Sequence, residues 1–179
     1  MSVEPVSKGY ENSTWLEDWS QDLDNPQYLD KLLSQHVDTI NIFVGQLDFD
    51  AQGNPMIDGF SEDTPGQPLG TGVFKNEAEL VDFIKQCHAK GIHVKLSLGG
   101  QNGTTFGDSW TKLTNANVEG FAQALSSFCA KTGADGVDFD DELEDTGVAA
   151  LAGKLAGDFK DLNPNLETSF CLYAGIGYG

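Results

Sequence analysis

Basic residues are scarce in this chain. Ten lysines and arginines face 28 aspartates and glutamates, for a formal net charge of −18 at pH 7. A surface of that sign repels phosphate backbones and anionic lipid, which removes nucleic acid and membrane surfaces from the expected partners. Long apolar runs are missing too: no stretch approaches the roughly 18 residues of a membrane-spanning helix. Met1 to Tyr10 have neither a basic region nor an apolar core and do not read as a secretory leader. The compartment stays open between secretion with a leader already removed and the cytoplasm. The three cysteines, Cys87, Cys129 and Cys171, are an odd set without metal-ligand spacing, and read as small buried hydrophobes. His36, His88 and His93 are scattered and read as structural. Asp48, Asp50 and Asn54 do not complete a calcium loop. No cofactor or metal is called for.

What the chain does have is Asp135-Gly136-Val137-Asp138-Phe139-Asp140-Asp141-Glu142. Five of these eight residues are acidic, yet Val137 and Phe139 alternate with them in the pattern of a strand. Successive strand side chains point to opposite faces, so Asp138, Asp140 and Glu142 share one and Val137 and Phe139 the other. A helical segment from Val118 to Lys131 precedes this strand, as in a sheet covered by helices. Carboxylates two residues apart lie ~6.6 Å apart. At an effective dielectric of about 20 they repel by ~2.5 kcal/mol, on the order of two pKa units. One of the trio is therefore expected to keep its proton near neutral pH while a neighbour stays ionised. Glu142, last on the strand, is best placed to be that acid. The competing reading is a strand end capped by solvated acids, or a cation site.

This eight-residue run resembles the signature of family 18 glycoside hydrolases, the chitinases and endo-β-N-acetylglucosaminidases. Lys95-Leu96-Ser97-Leu98-Gly99-Gly100 resembles their second motif, at the end of the third barrel strand. Many chitinases carry Trp where this chain has Asp141. The Asp-Asp-Glu form is similar to the endo-β-N-acetylglucosaminidase branch, which acts on N-linked glycans.

The remaining pattern is strand then helix, repeated. Val3 to Tyr10 reads as a weak first strand, followed by a turn-rich stretch to Asp24. Asn25-Pro26 opens a helix to about His36 with Leu29, Leu32 and Leu33 inward. Thr39 to Val44 is a nearly continuous apolar run, as in a strand buried on both faces. Gln46 to Lys75 is a long loop with a short hairpin around Gln52-Gly53-Asn54. Asn76 caps a helix bearing Leu80, Phe83, Ile84 and Cys87 at helical spacing. Ile92 to Leu98 is the next strand, and a glycine-rich turn follows, where close backbone approach to a sugar would favour Gly99 and Gly100. Phe106 and Trp110 share that loop, and sugar stacking and ordinary packing stay equally open for them. Thr146 or Asp145 caps a fourth helix, and Glu167 to Tyr173 is a fifth strand.

The pattern is an α/β parallel sheet in one domain, residues 1–179. The resemblance implies a (β/α)8 TIM barrel, of which this chain carries about the N-terminal five strands and four helices. A full barrel takes about 250 residues. Three explanations stay open: the chain is part of a longer one, it is completed by another copy or another chain, or it closes as a reduced sheet.

The resemblance also implies the chemistry: hydrolysis of β-1,4 linkages next to N-acetylglucosamine, in chitin or in the chitobiose core of N-glycans, by retaining, substrate-assisted catalysis. Glu142 would be the general acid and base. Asp140 would orient the substrate's acetamido group, and Asp138 would tune Asp140. Ser97, Gly99, Gly100, Phe43, Trp110 and Tyr173 are the expected sugar contacts. The family's acetamido-binding Tyr after strand six and its Trp on strand eight have no matching positions here. The alternative is a catalytically impaired lectin-like module for N-acetylglucosamine, or an inactive barrel fragment.

Overall fold

The structure is a computed structural model, and the described residues are 11–16, 25, 27–60, 74–101, 104–143 and 145–172. In chain order they form β1 (Ser13–Leu16), α1 (Tyr28–Ser34), β2 (Thr39–Phe49), β3 (Pro55–Asp58), α2 (Glu77–Ala89) and β4 (His93–Gln101). Then come α3 (Thr105–Asp108), a 3-10 turn (Ser109–Lys112), α4 (Val118–Thr132), β5 (Gly136–Glu142), α5 (Thr146–Leu162) and β6 (Glu167–Leu172). The strand order is β1-β2-β4-β5-β6, all parallel, and β3 folds back antiparallel on β2. Five parallel strands with α1, α2, α4 and α5 between them make the parallel half of a barrel, as expected.

Apolar alternation builds the outer layer. Ile40 and Ile42 of β2, Val94, Leu96 and Leu98 of β4, and Val137 and Phe139 of β5 are fully buried. They share one core with Leu80, Ile84 and Cys87 of α2, Phe121 and Leu125 of α4, and Leu155 and Phe159 of α5. At roughly 1.5–3 kcal/mol for each such side chain, this layer dominates the stability. The caps follow the sequence. Asn76 accepts the Glu79 N–H at 3.0 Å, and Asp145 accepts those of Gly147 at 2.7 Å and Val148 at 3.2 Å. Each satisfies amides that the first helical turn leaves without partners.

Several details differ from expectation. The first described strand is Ser13–Leu16, inside the stretch read as turn, while the expected strand at Val3 to Tyr10 lies outside the described residues. β2 runs on to Phe49, across a register shift between Phe43 and Gly45, and turns back at the expected hairpin. Asp50 ties that turn through the Gln52 and Asn54 amides, at 2.9 and 2.8 Å. Asp48 pairs with Lys112 at 2.9 Å. Leu33 points outward, because α1 is only two turns long and offers the sheet a narrow stripe.

Candidate active site

The register of β4, β5 and β6 sets the site. Ser97, Gly99 and Gln101 stand opposite Asp138, Asp140 and Glu142, and Ser169 and Cys171 stand opposite Asp138 and Asp140 on the other side. Residues level in a parallel ladder share a face, and every second residue along each strand returns to it. The hydrogen bonds agree: Ser97 Oγ donates to Asp138 Oδ2 at 2.8 Å, and Ser169 Oγ to Oδ1 at 2.5 Å. Phe139, between the two aspartates, goes the other way, stacking on Phe170 and packing against Trp110. The alternation read from the sequence is the one in the fold.

Asp138 and Asp140 are both buried, and Glu142, at the carboxyl end of β5, is partly exposed. Burial pushes the Asp140 carboxyl up from 3.8 to about 6; a hydrogen bond from the Cys171 thiol offsets part of that, and the negative charges of Glu142, Asp138 and Asp141 add to it. Among the described residues Asp140 Oδ1 has no hydrogen-bond partner. The carboxyl held up is thus that of Asp140, where repulsion alone had pointed to Glu142. At Asp140 desolvation is the largest cause, ahead of the neighbouring charges.

The expected sugar contacts divide. Phe43 sits beside the site, partly exposed, with its ring edge 2.9 Å from where a β-carbon on Gly100 would lie. Ser97 is fully buried and its hydroxyl is taken by Asp138. Gly99 and Gly100 do mark close approach, at φ +105° and +116°, but the approaching groups are Trp110 and Phe43. A β-carbon on Gly100 would also stand 3.8 Å from Asp140 Oδ2, so this turn lies against the carboxylates. Trp110 is 0% exposed and donates its indole N–H to the Asp140 carbonyl at 3.0 Å. Of the two readings left open for Trp110, packing is the one this burial supports, which removes Trp110 from the expected sugar contacts: the ring is sealed between the turn and β5. Tyr173 lies outside the described residues.

Sequence reasoning missed Cys171, Ser169 and Lys95. Cys171 is partly exposed and bonded to Asp140 rather than buried as a small hydrophobe. Cys87 and Cys129 are buried as expected, their thiols pushed up to about 12 by burial and then by Asp135. Two surface hollows, about 340 and 260 Å³, are lined by α4, α5 and the turn after α5, away from the carboxylates.

No protein-family model matches the chain, and no curated protein matches it. Solved structures do resemble it. A chitinase from Rhizomucor miehei aligns with a TM-score of 0.59 at 18% identity, over 87% of this chain and 43% of its own. A GH18 chitinase from Flavobacterium johnsoniae aligns at 0.57 and 20% identity, over 89% and 45%. A chitinase from Bacteroides thetaiotaomicron aligns at 0.62 and 12% identity, over 88% and 45%. The chain therefore spans less than half the length of these chitinases, and what it shares with them is the fold, a parallel half of their barrel.

Proposed function

We propose that this chain bears the acid half of a family 18 type glycosidase site, which cleaves β-1,4 linkages next to N-acetylglucosamine with retention. One observation carries the reading. Asp138, Asp140 and Glu142 line one face at the carboxyl end of β5, and the middle carboxyl is both buried and held near neutral. Carboxyls of unequal pKa set side by side are the arrangement an acid–base step needs.

Glu142, at the open end, protonates the glycosidic oxygen and later takes a proton from the incoming water. The substrate's acetamido oxygen attacks the anomeric carbon, forming an oxazolinium, and Asp140 orients that acetamido group. No second carboxylate nucleophile is then required across the sugar. Phe43 offers the partly exposed aromatic edge. Asp141 in place of Trp favours the endo-β-N-acetylglucosaminidase branch and N-glycan substrates over chitin. The second reading is a lectin-like module that binds these glycans without turnover.

The test is hydrolysis of 4-nitrophenyl chitobioside and of a high-mannose glycoprotein by this chain and by Glu142→Gln. The enzyme reading expects turnover that Glu142→Gln lowers by at least about 100-fold. Binding without turnover supports the lectin, and absence of both sinks either reading.

A further inference from the structure

Strand β5 ends on Glu142, and its support thins there. Among the described residues, β6 pairs with β5 only as far as Asp141, so the ladder neighbour left to Glu142 is Gln101 of β4. The residue just before it is an acid with a different surrounding. Asp138, Asp140 and Glu142 share the inner face, whereas Asp141 falls in step with Val137 and Phe139 and takes the helix side. It is 7% exposed. A carboxyl so buried needs hydrogen bonds. Asp141 Oδ1 accepts the Leu143 N–H at 3.2 Å. An aspartate bonded to the amide two residues on closes a turn around the residue between them, which is Glu142. Leu143 itself packs against the core that the sheet shares with the helices. With residues 141 and 143 held on that side, Glu142 is left the opposite direction, toward the mouth of the site.

From this arrangement we propose that Asp141 is a positioning residue for Glu142: its carboxyl, on the helix side of β5, holds the Leu143 amide and so sets the backbone from which the acid projects. A displacement of about 1 Å in a reacting group can cost on the order of 100-fold in rate, which is what such a turn guards against. The use of the turn rests on the reading of Glu142 as general acid; the turn itself does not. The rival account is charge alone, because the negative charge of Asp141 also bears on Asp140. The two are separable. Asp141→Asn removes the charge and keeps a side-chain oxygen for the Leu143 amide, and Asp141→Ala removes both.

Backbone amide relaxation by NMR reads the turn whether or not the chain turns substrate over. The order parameters of Glu142 and Leu143 should be about 0.85 in the unmodified chain and in Asp141→Asn, and should fall below about 0.6 in Asp141→Ala. In hydrolysis of 4-nitrophenyl chitobioside, Asp141→Ala should lower kcat by about 10- to 100-fold with KM within about threefold, while Asp141→Asn keeps kcat within about threefold. Equal losses of kcat in the two variants would assign the effect to charge and overturn the proposal. Order parameters unchanged in Asp141→Ala overturn it as well, as does a kcat that survives the loosened turn. If the unmodified chain shows no turnover, the acid reading fails, and the order parameters alone decide whether Asp141 holds residue 142. Asp141→Leu, branched at the same carbon and without an acceptor, replaces Asp141→Ala where the latter does not fold.

Discussion

Gly99 lies directly against Asp140: a β-carbon at residue 99 would come within 2.3 Å of the Asp140 carbonyl oxygen and 2.1 Å of the Trp110 indole nitrogen. Neither neighbour can yield, since one is ladder backbone and the other is fully buried. With φ at +105° the backbone itself also disfavours a side chain. Gly99→Ala is therefore expected to destabilise the fold by about 2 to 5 kcal/mol, as strain and overpacking combine. Urea denaturation measures it. A loss below about 1 kcal/mol would mean that β4 and β5 separate easily and that the site is not rigidly placed.

Trp110 tests packing against recognition. Trp110→Phe removes the indole N–H from a buried carbonyl and leaves a small void beside Phe139. The expected cost is about 1 to 3 kcal/mol in urea denaturation. Under the proposed glycosidase reading, affinity for chitobiose, read by calorimetry, should change less than about threefold. A larger loss of affinity with unaltered stability would return Trp110 to the sugar site.

The raised carboxyl of Asp140 predicts a pH dependence of stability. Its folded value, about 6, exceeds the unfolded 3.8, so the folded state holds an extra proton between those values. The contribution is fully present below about pH 3.8 and is lost as the pH rises through about 6. Its size is on the order of 2 to 3 kcal/mol at most. Asp140→Asn cannot titrate. The stability difference between Asp140→Asn and the unmodified chain should therefore widen in favour of the Asn variant from pH 4 to pH 7. A difference that is flat across this range would place Asp140 in ordinary solvation.

Elements with a strong period were legible in the sequence. The alternation of Asp138 and Asp140 with Val137 and Phe139, the helical spacing of Leu80 to Cys87, and the caps at Asn76 and Asp145 are all local signals, and the fold repeats each. β1 was not legible. Its four residues carry no alternation, and Trp15 is exposed; what defines it is pairing with Thr39 to Ile42. The candidate site divides the same way. Which face the carboxylates take follows from parity alone. The partners of Asp138 come from β4 and β6, 41 and 31 residues away in sequence. Lys95 meets Ser169 across 74 residues. No local pattern encodes such contacts, and a serine in a strand reads equally as core or site until its neighbours are known. The identity of the raised carboxyl was out of reach for the same reason, since desolvation depends on what covers Asp140.

Cys171 closes the circuit around Asp140, and its chemistry can be read directly. Its thiol is pushed from 9.0 to about 12 by burial, by the charge of Asp140 and its hydrogen bond to it, and by Asp138 and Glu142. The thiolate is the reactive form, so partial exposure should not make this cysteine quick to react. At pH 8, iodoacetamide should label Cys171 more slowly than an unperturbed thiol by about 100-fold or more. Mass mapping separates it from the buried Cys87 and Cys129. Asp140→Asn removes the nearest charge and should speed the labelling of Cys171 by at least about tenfold, leaving the other two unchanged. Rapid labelling of Cys171 in the unmodified chain would mean that the thiol does not face Asp140, and the hydrogen bond that moderates the carboxyl would have to come from elsewhere.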